Sequence, residues 1–575
     1  MNDTGTTQQH ALPSLADMQQ WTWVIGRAQQ MMLEFSMDAV KQAASPATAA
    51  IPGLAETAQA QQDFWASNLA LWQRFLPGAE SAAAPESDRR FAAPQWRDNP
   101  MFDLIRQSYQ LVCDHLLKSV DQLDSVDPKQ KEQLRFATQG MLDALSPSNF
   151  AFTNPVVLEK VIETGGQNLV RGLENMLRDL AKGQLTHTDP DAFEVGCNIA
   201  VTPGKVVKET PLYQLIQYSP TTETVYRTPL VIFPPWINRF YILDLNPQKS
   251  FVRWAVEQGL TVFVVSWKSA DASMKDTVWD DYVVRGQIDA IDTVRDLLDV
   301  PSVHAIGYCV AGTTLAASLA WLAANGRADA VKSATFFTTQ VDFTRAGDLN
   351  LFISDDYIAL IEALSAPGYL DGRYMAATFN LLRGRDLIWS YVQNNYLLGQ
   401  DYAPFDLLHW NGDTTNLPAK WHKAYLSDLY RDNRLVQPGS IAIDGTPIDL
   451  GRITTPAYVQ AGREDHIAPP ESVWKLTEHL AGPVQFVLAG SGHIAGVVNP
   501  PAARKYQYWL NDAAVGSLEE FSAGAREIAG SWWPHWLGWL DSHEAERVDA
   551  TGARIPGAGK LKAIEDAPGR YVRGQ

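Results

Sequence analysis

The feature that most constrains the fold of this chain is a segment in which a short apolar strand turns directly into a helix around a cysteine. The run Val303–Gly307 is typical of a buried strand, Thr313–Ala324 is typical of a helix, and Cys309 lies between them. Strand and helix approach closely at such a turn, so its flanking residues must be small, as Gly307 and Ala311 are. The pattern predicts a strand–turn–helix unit with Cys309 at the helix N-terminus, where the helix dipole favours a thiolate.

This segment resembles the nucleophile elbow of the α/β-hydrolases, whose usual sequence is Gly-x-Ser-x-Gly. Here Cys309 stands in the place of the serine, and Ala311 stands in the place of the second glycine. A lone cysteine would be interpreted as a buried structural residue, but the flanking strand and helix favour a nucleophile. We therefore expect an α/β fold of the α/β-hydrolase type.

An elbow of this kind implies an acid and then a histidine later in the chain. Asp465 follows the strand-like run Ala457–Ala461, and His493 follows the run Val484–Leu488. Since open parallel sheets place their sites beyond the carboxyl ends of their strands, we expect these side chains to meet the cysteine. The neighbouring Glu464 remains an alternative acid.

The three side chains form a candidate catalytic triad. His493 would deprotonate Cys309 and later an incoming hydroxyl, and Asp465 would orient the imidazole and stabilise its charged form. The backbone N–H of Val310, the residue after the nucleophile, is one expected oxyanion donor. The second expected donor is the backbone N–H of Ile237, in the loop after the strand-like run Leu230–Phe233.

The cysteine also indicates a class of substrate. A thiolate and a thioester are nearly matched as leaving groups, so a cysteine enzyme exchanges thioesters at little thermodynamic cost. An acyl-cysteine is therefore a suitable carrier when the acyl donor is itself a thioester, such as an acyl-CoA.

The chain divides by sequence pattern into three regions. Residues 1–95 read as a helical arm with linkers, residues 96–195 as a helical domain, and residues 196–575 as one α/β catalytic domain in which strands alternate with helices. Residues of about 340–450 read as an inserted cap, which would exclude water from the site. The predicted helices before the α/β domain are Trp21–Phe35, Phe64–Leu76, 98–120, 128–145 and 155–180.

Composition excludes several classes of protein. The net charge of −18 argues against a nucleic-acid-binding protein, and three cysteines argue against a disulfide framework. The N-terminus lacks a secretory signal and no apolar run is long enough to span a bilayer, which predicts a cytoplasmic protein without a transmembrane segment. No metal-ligand spacing or phosphate-binding glycine loop is present, so we expect no metal and no cofactor.

Longer motifs between residue 88 and the end of the chain resemble those of class I polyhydroxyalkanoate synthases. These motifs are Asp88–Phe91 with Trp96–Pro100, residues 234–245, residues 405–418, residues 463–467, residues 491–501, Gly530–Pro534 and Ala567–Val572. The resemblance implies a polymerase that takes (R)-3-hydroxyacyl-CoA, releases CoA and builds a polyester such as poly(3-hydroxybutyrate). It also implies Cys309, Asp465 and His493 as the triad, although the family's acid has been assigned to activating the substrate hydroxyl as well.

The resemblance further implies partners and a location. The family works as a homodimer at the surface of cytoplasmic polyester granules, where it meets the growing polymer chain and small granule-associated proteins. The Tyr-Cys-Val elbow and the single-subunit length resemble the short-chain class I type. The tryptophan pairs of the N-terminal arm are candidates for contact with polymer or with a granule protein.

Several residues are candidates for binding substrate or CoA. Arginines near the pocket would meet the CoA phosphates, and polar residues of the adjoining loops would meet the acyl group, although a structural role is an alternative for each. These candidates are Asn238, Arg239, Asp244, His466, Arg383 and Arg385.

Two other functions remain open on the sequence. The first is a cysteine-dependent hydrolase on the same fold, either an acyl-CoA thioesterase or an intracellular polyester depolymerase, because fold alone does not decide function. A non-catalytic granule-binding protein is the other.

Overall fold

A computed structural model describes residues 66–67, 88–123 and 126–574 of the chain. The predicted helices Trp21–Phe35 and Phe64–Leu76 lie outside the described residues, apart from Ala66 and Ser67, which are helical. The N-terminal tryptophans that are candidates for contact with polymer or a granule protein lie outside them as well.

The described residues form two compact units. The helical unit contains the residues up to Asp189 together with Ala376–Ala403, and the sheet unit contains Pro190–Met375 together with the residues from Pro404 onward. The region predicted as a cap, about 340–450, therefore contributes residues to both units.

The helical unit is built from short and medium helices. Its α-helices are Gln95–Asp98, Pro100–Asp121, Pro128–Ala144, Pro155–Thr164, Gln167–Lys182 and the end of Gly372–Leu382; its 3₁₀ turns are Arg89–Phe91 and Pro147–Asn149; its π-helical segments are Arg385–Trp389 and Val392–Leu397.

Three of these helices begin in the same way, with a proline in the first turn after an Asn or Asp cap. The side chains of Asn99, Asp127 and Asn154 each accept a hydrogen bond from a backbone N–H of the first turn, which would otherwise lack an acceptor. The helix predicted for 155–180 is instead two helices. Gly165 and Gly166 adopt φ values of +58° and +85°, which end the first helix in a left-handed turn.

The sheet unit contains seventeen strands in the described part of the chain. They are β1 Gly204–Glu209, β2 Tyr213–Tyr218, β3 Thr224–Tyr226, β4 Leu230–Phe233, β5 Val262–Trp267, β6 Val303–Tyr308, β7 Val331–Phe337, β8 Tyr369–Leu370, β9 Leu417–Pro418, β10 Ala442–Ile443, β11 Thr446–Pro447, β12 Ala457–Gly462, β13 Val484–Ala489, β14 Gln507–Leu510, β15 Arg526–Ala529, β16 Arg547–Asp549 and β17 Glu565–Asp566.

Eleven of these strands make one mixed sheet in the order β15-β14-β13-β12-β7-β6-β4-β5-β2-β1-β17. The six central strands, from β13 to β5, run parallel, and the strands at both edges are antiparallel. β4, β5, β6 and β12 are buried at every residue, as expected for parallel strands that are covered on both faces.

Helices connect and cover the strands of this sheet. The α-helices are Phe251–Glu257, Asp289–Leu298, Val310–Ala324, Asp355–Leu364, the beginning of Gly372–Leu382, Asp406–Gly412, Ala419–Ala424, Pro470–His479, Leu518–Gly524 and Trp533–His543; the π-helical segments are Asp281–Ile288 and Tyr425–Arg431; the 3₁₀ turns are Phe240–Leu243, Ala272–Met274, Ala328–Ala330, Asp348–Phe352, Leu450–Arg452, Pro501–Ala503 and Gly552–Arg554.

The helix Val310–Ala324 lies deepest in the sheet unit. Twelve of its fifteen residues are buried, so it has no polar face of the kind that a surface helix shows. It directly follows β6 in the middle of the sheet, and Cys309 is the residue between them. The nucleophile candidate is therefore held between two buried elements.

Candidate active site

Cys309 has a strained backbone at the junction of β6 and the following helix. Its φ of +52° and ψ of −126° lie in a region that residues with a side chain rarely adopt. The Cys309 N–H donates to the carbonyl of Phe337 at 3.0 Å, and the Cys309 carbonyl accepts from Gly312 and Thr313. These bonds to the neighbouring strand and to the helix hold the turn in its unusual conformation.

Two glycines permit the close approach of strand and helix. A Cβ added to Gly307 would lie 2.5 Å from the Cα of Gly312, and a Cβ added to Gly312 would overlap the Oγ1 of Thr339. The sequence predicted Gly307 and Ala311 as the small residues of the turn. The closest approach is instead made by Gly312, the residue that follows Ala311.

The buried Asp465 and the partly buried His493 form a pair beyond the ends of two adjacent strands. Asp465 follows β12 and His493 follows β13, and the Nδ1 of His493 lies 2.7 Å from the Oδ2 of Asp465. The other carboxylate oxygen accepts the backbone N–H groups of Ile467 and Ala468, both at 2.9 Å. The Asp465 side chain is fully buried, so its charge is stabilised by these three donors. Of the two acids that the sequence left open, Asp465 rather than Glu464 contacts His493.

His493 interacts electrostatically with both Asp465 and Cys309. Burial alone would lower the pKa of His493, but the charges of Asp465 and Cys309 and its hydrogen bonds to both raise that pKa to about 10. Cys309 is thus close enough to influence the ring, and the ring nitrogen not used by Asp465 is the one available to its thiol. The structure brings the three predicted residues together in the order Cys309–His493–Asp465.

The two backbone groups predicted as oxyanion donors lie in the loops after neighbouring strands. Val310 is the first residue of its helix, where an N–H has no acceptor within the helix. Ile237 lies in the loop after β4, and Phe233 at the end of β4 pairs with Gly307 of β6. Both loops therefore leave the sheet at the same carboxyl edge.

Two predicted substrate-binding residues make extensive internal hydrogen bonds. Arg239 is 3% exposed, and its guanidinium donates to the Asp413 carboxylate and to the carbonyls of Thr414, Tyr571 and Gly574. These bonds tie the C-terminal residues to the segment after β4.

Asp244 is buried and accepts hydrogen bonds from Thr202 and Ser250. Burial raises the pKa of Asp244 to about 6, although the hydrogen bonds from Ser250 and Thr202 oppose this rise. A structural role and a substrate role were both expected for this residue, and these contacts are of the structural kind.

The remaining predicted residues lie in different parts of the chain. The Asn238 side chain accepts the N–H of Arg239, and the carbonyl of His466, next to Asp465, accepts the N–H of Asp348. Arg383 and Arg385 belong to the helical unit and are exposed. Arg385 donates to Asp143 at 2.9 Å.

Two tyrosines near the triad were not among the predicted site residues. The hydroxyl of Tyr308, the residue before Cys309, donates to the backbone carbonyl of His493 at 2.8 Å. Burial and then the charge of Cys309 raise the pKa of Tyr430, which lies in the predicted cap region. The position of Tyr308 inside the elbow was a signal in the sequence, whereas nothing in the local sequence marks Tyr430.

Within the described ranges, no helix is both long and apolar enough to cross a bilayer.

Comparison with known proteins identifies the family. Residues 87–255 match the model of the poly-beta-hydroxybutyrate polymerase (PhaC) N-terminus, and residues 229–500 match that of the alpha/beta hydrolase fold. The second match, together with the large mixed sheet and the helical region before it, confirms the predicted fold class. Among solved structures, a monoacylglycerol lipase from Paleococcus ferrophilus aligns with 58% of this chain and 100% of its own, at 14% identity and a TM-score of 0.33.

Full-length relatives give the same result. The chain is 46% identical to the poly(3-hydroxyalkanoate) polymerase subunit PhaC of Rhizobium meliloti, over 90% of this chain and 85% of the relative. It is 46% identical to the poly(3-hydroxyalkanoate) polymerase of Methylorubrum extorquens, over 90% and 86%. It is 43% identical to the PhaC subunit of Cupriavidus necator, over 92% of each chain. The chain therefore belongs to the family of poly(3-hydroxyalkanoate) polymerases, which are enzymes of the acyltransferase type.

Proposed function

We propose that this enzyme polymerises short-chain (R)-3-hydroxyacyl-CoA, such as 3-hydroxybutyryl-CoA, into a polyester through an acyl group bound to Cys309. The observation that carries the proposal is the arrangement of Cys309, on a strained elbow, with His493 and the buried Asp465, in a chain of the polymerase family. No metal or other cofactor takes part in the proposed steps.

The first step is acyl transfer from CoA to the enzyme. The raised pKa of His493 favours an imidazolium, and a positive charge beside a cysteine stabilises the thiolate form that attacks. The thiolate attacks the thioester carbonyl, and the N–H groups of Val310 and Ile237 stabilise the oxyanion. When the C–S bond to CoA breaks, the imidazolium gives its proton to the departing CoA thiolate, which leaves as free CoA.

The second step is ester formation, in which His493 must be neutral to accept a proton. Acylation removes the negative charge of Cys309, which is one of the interactions that raise the pKa of His493. The pKa of the ring therefore falls after acylation, and the neutral ring can accept the proton of an incoming 3-hydroxyl. That oxygen attacks the acyl-cysteine, the new ester bond forms, and the Cys309 thiolate is released with the imidazolium beside it.

The contacts of Asp465 support the role that we propose for it. Its carboxylate accepts the Nδ1–H of His493, which fixes the tautomer and stabilises the imidazolium. This contact supports orientation of His493 as its main role, and activation of the substrate hydroxyl is the alternative.

The substrate-binding residues, the cap and the assembly complete the proposal. Asn238, Arg239, Asp244, His466, Arg383 and Arg385 remain candidates for contact with the acyl group or the CoA phosphates. Residues of about 340–450 would act as a cap that excludes water and so suppresses hydrolysis. The enzyme would work as a homodimer at the surface of cytoplasmic polyester granules, together with granule-associated proteins.

The alternative function is hydrolysis on the same fold, as a thioesterase or a polyester depolymerase. Purified enzyme is given (R)-3-hydroxybutyryl-CoA, and free CoA, soluble acid and insoluble polymer are measured. Release of CoA with polymer supports the proposal, whereas release of CoA with an equal amount of 3-hydroxybutyrate would contradict it. Hydroxyacyl-CoAs of increasing chain length test the short-chain preference in the same assay.

The covalent intermediate is tested by Cys309→Ala. We expect this variant to release no CoA and to form no acyl-enzyme detectable by mass spectrometry. Turnover that survives the substitution would show that Cys309 is not the nucleophile.

A further inference from the structure

The catalytic histidine lies in a compact turn that has its own hydrogen bonds. The carbonyl of Gly492 accepts the N–H of Gly496 at 2.9 Å, and the carbonyl of Ile494 accepts the N–H of Val498 at 2.8 Å. His493 lies between these two carbonyls. The position of its ring therefore depends on what holds residues 492–498 in place.

Two buried indoles from the C-terminal part of the chain hold the far end of this turn. The indole N–H of Trp532 donates to the carbonyl of Gly496 at 2.8 Å, and that of Trp533 donates to the carbonyl of Val497 at 2.9 Å. Both tryptophans are fully buried. A buried N–H bonded to a buried carbonyl is expensive to break, because neither group finds a replacement partner in water.

The same indoles rest on residues that support the nucleophile. The ring of Trp532 lies 5.2 Å from that of Phe337, whose carbonyl accepts the N–H of Cys309. The ring of Trp533 lies 5.1 Å from that of Phe251, which in turn lies 5.5 Å from the ring of Phe337. One aromatic layer therefore fixes both the cysteine and the turn that carries its histidine.

We propose that Trp532 and Trp533 are positioning residues, whose indole N–H groups fix the 492–498 turn so that the free ring nitrogen of His493 faces the sulfur of Cys309. The proposal rests on the triad of the proposed function. Proton transfer needs the two heavy atoms within about 3 Å of each other. A displacement of about 1 Å by a remote residue lowers a rate on the order of 100-fold.

Trp536 provides a matched control one turn further along the same helix. It is also fully buried and also packs against Phe251, with ring centres 5.2 Å apart. Its indole N–H, however, donates to the Oγ1 of Thr335 in β7 at 2.9 Å and not to the histidine turn. Loss of this indole should therefore damage packing without moving His493.

The experiment compares Trp532→Phe, Trp533→Phe and Trp536→Phe in the full-length enzyme. The rate of alkylation of Cys309 by iodoacetamide is followed by mass spectrometry over a range of pH, without substrate. All three variants should unfold at a lower temperature than the wild type. Only in Trp532→Phe and Trp533→Phe should the rate of alkylation at neutral pH fall, on the order of 10-fold. At alkaline pH, where a free thiol ionises, the rate should recover. Their kcat should fall by a similar factor while KM stays within about twofold.

Equal alkylation profiles in the three variants would overturn the proposal, since the tryptophans would then contribute packing alone. If a phenylalanine variant does not fold, Trp532 or Trp533 is replaced by benzothienylalanine, which keeps the shape of the indole and lacks only the N–H. A wild-type profile in that variant would likewise overturn the proposal. Failure of the proposed function is seen separately, as CoA release by the wild type without polymer, and leaves the alkylation comparison intact.

Discussion

Replacement of Asp465 by asparagine should force His493 into the wrong tautomer. One carboxylate oxygen accepts the N–H groups of Ile467 and Ala468, and the other accepts the Nδ1–H of His493. Asparagine has a single acceptor oxygen, and turning it toward the two backbone donors keeps two bonds out of three. Its NH₂ group then faces Nδ1, so the ring must carry its proton on the nitrogen that faces Cys309.

The size of the effect follows from the pKa of His493. The interactions of this buried ring raise its pKa from 6.5 to about 10, which corresponds to about 5 kcal/mol in favour of the imidazolium. Without the carboxylate, burial acts in the opposite direction and the neutral ring dominates at neutral pH. We expect kcat of Asp465→Asn to fall on the order of 10³- to 10⁴-fold, as for a triad held in the wrong tautomer.

Alkylation of Cys309 without substrate separates the two possible roles of Asp465. If Asp465 orients His493, Asp465→Asn should react slowly with iodoacetamide at neutral pH and approach the wild-type rate above a pH of about 8.5, where a free thiol ionises. Glu464→Gln is the matched control, because it removes the neighbouring acid and should react like the wild type. The orienting role is refuted if Asp465→Asn alkylates normally at neutral pH yet fails to elongate the polymer, a result that would assign Asp465 to the substrate hydroxyl.

Three further predictions concern stability. Gly312→Ala should lower the free energy of unfolding in urea by about 1–3 kcal/mol, because its Cβ has no space, whereas Gly538→Ala in open space should not. Burial raises the pKa of Asp244 to about 6 from 3.8, so its stabilising contribution is complete below a pH of about 4 and is lost as the pH rises through 6. This loss is about 3 kcal/mol in the free energy of unfolding. Asp244→Asn should abolish it, as measured by denaturation curves across this pH range. Arg239→Lys should destabilise the enzyme by about 2–4 kcal/mol, because lysine lacks the guanidinium fork, and a higher KM for acyl-CoA at unchanged stability would instead indicate CoA binding.

The central strands and the elbow could be predicted from the sequence because the information there is local. β4, β6, β12 and β13 are short apolar runs followed by loops that carry unusual polar residues, and the structure places strands at these runs. Asp465 and His493 were found because each follows such a run at the edge where parallel strands end.

The edge strands were not predicted, because their sequences conceal their burial. Gln214 and Gln217 give β2 a polar appearance, yet both are buried. The amide of Gln214 donates to Glu209 and Glu565, and that of Gln217 donates to the carbonyl of Ala553. Two of these partners, Glu565 and Ala553, lie more than 300 residues away along the chain, and a local pattern cannot reveal such contacts.

The support of the site was also hidden in the sequence. Trp532 and Trp533 belong to a recognisable motif, but their bonds to the histidine turn cross 36 residues of sequence. The close approach of Gly312 to Thr339 likewise depends on β7, which lies beside β6 only in the folded chain.

The left-handed backbone of Cys309 has a consequence for the evolution of the enzyme. The strain arises from the Cβ and not from the sulfur, so a serine in this position would carry the same strain. Exchange of cysteine for serine would therefore leave the backbone unchanged. Glycine alone would release it, about 1–3 kcal/mol, and glycine has no nucleophile. Selection for stability alone would therefore favour glycine at this position, so if Cys309 is the nucleophile that we propose, its side chain is kept for chemistry at a cost in stability.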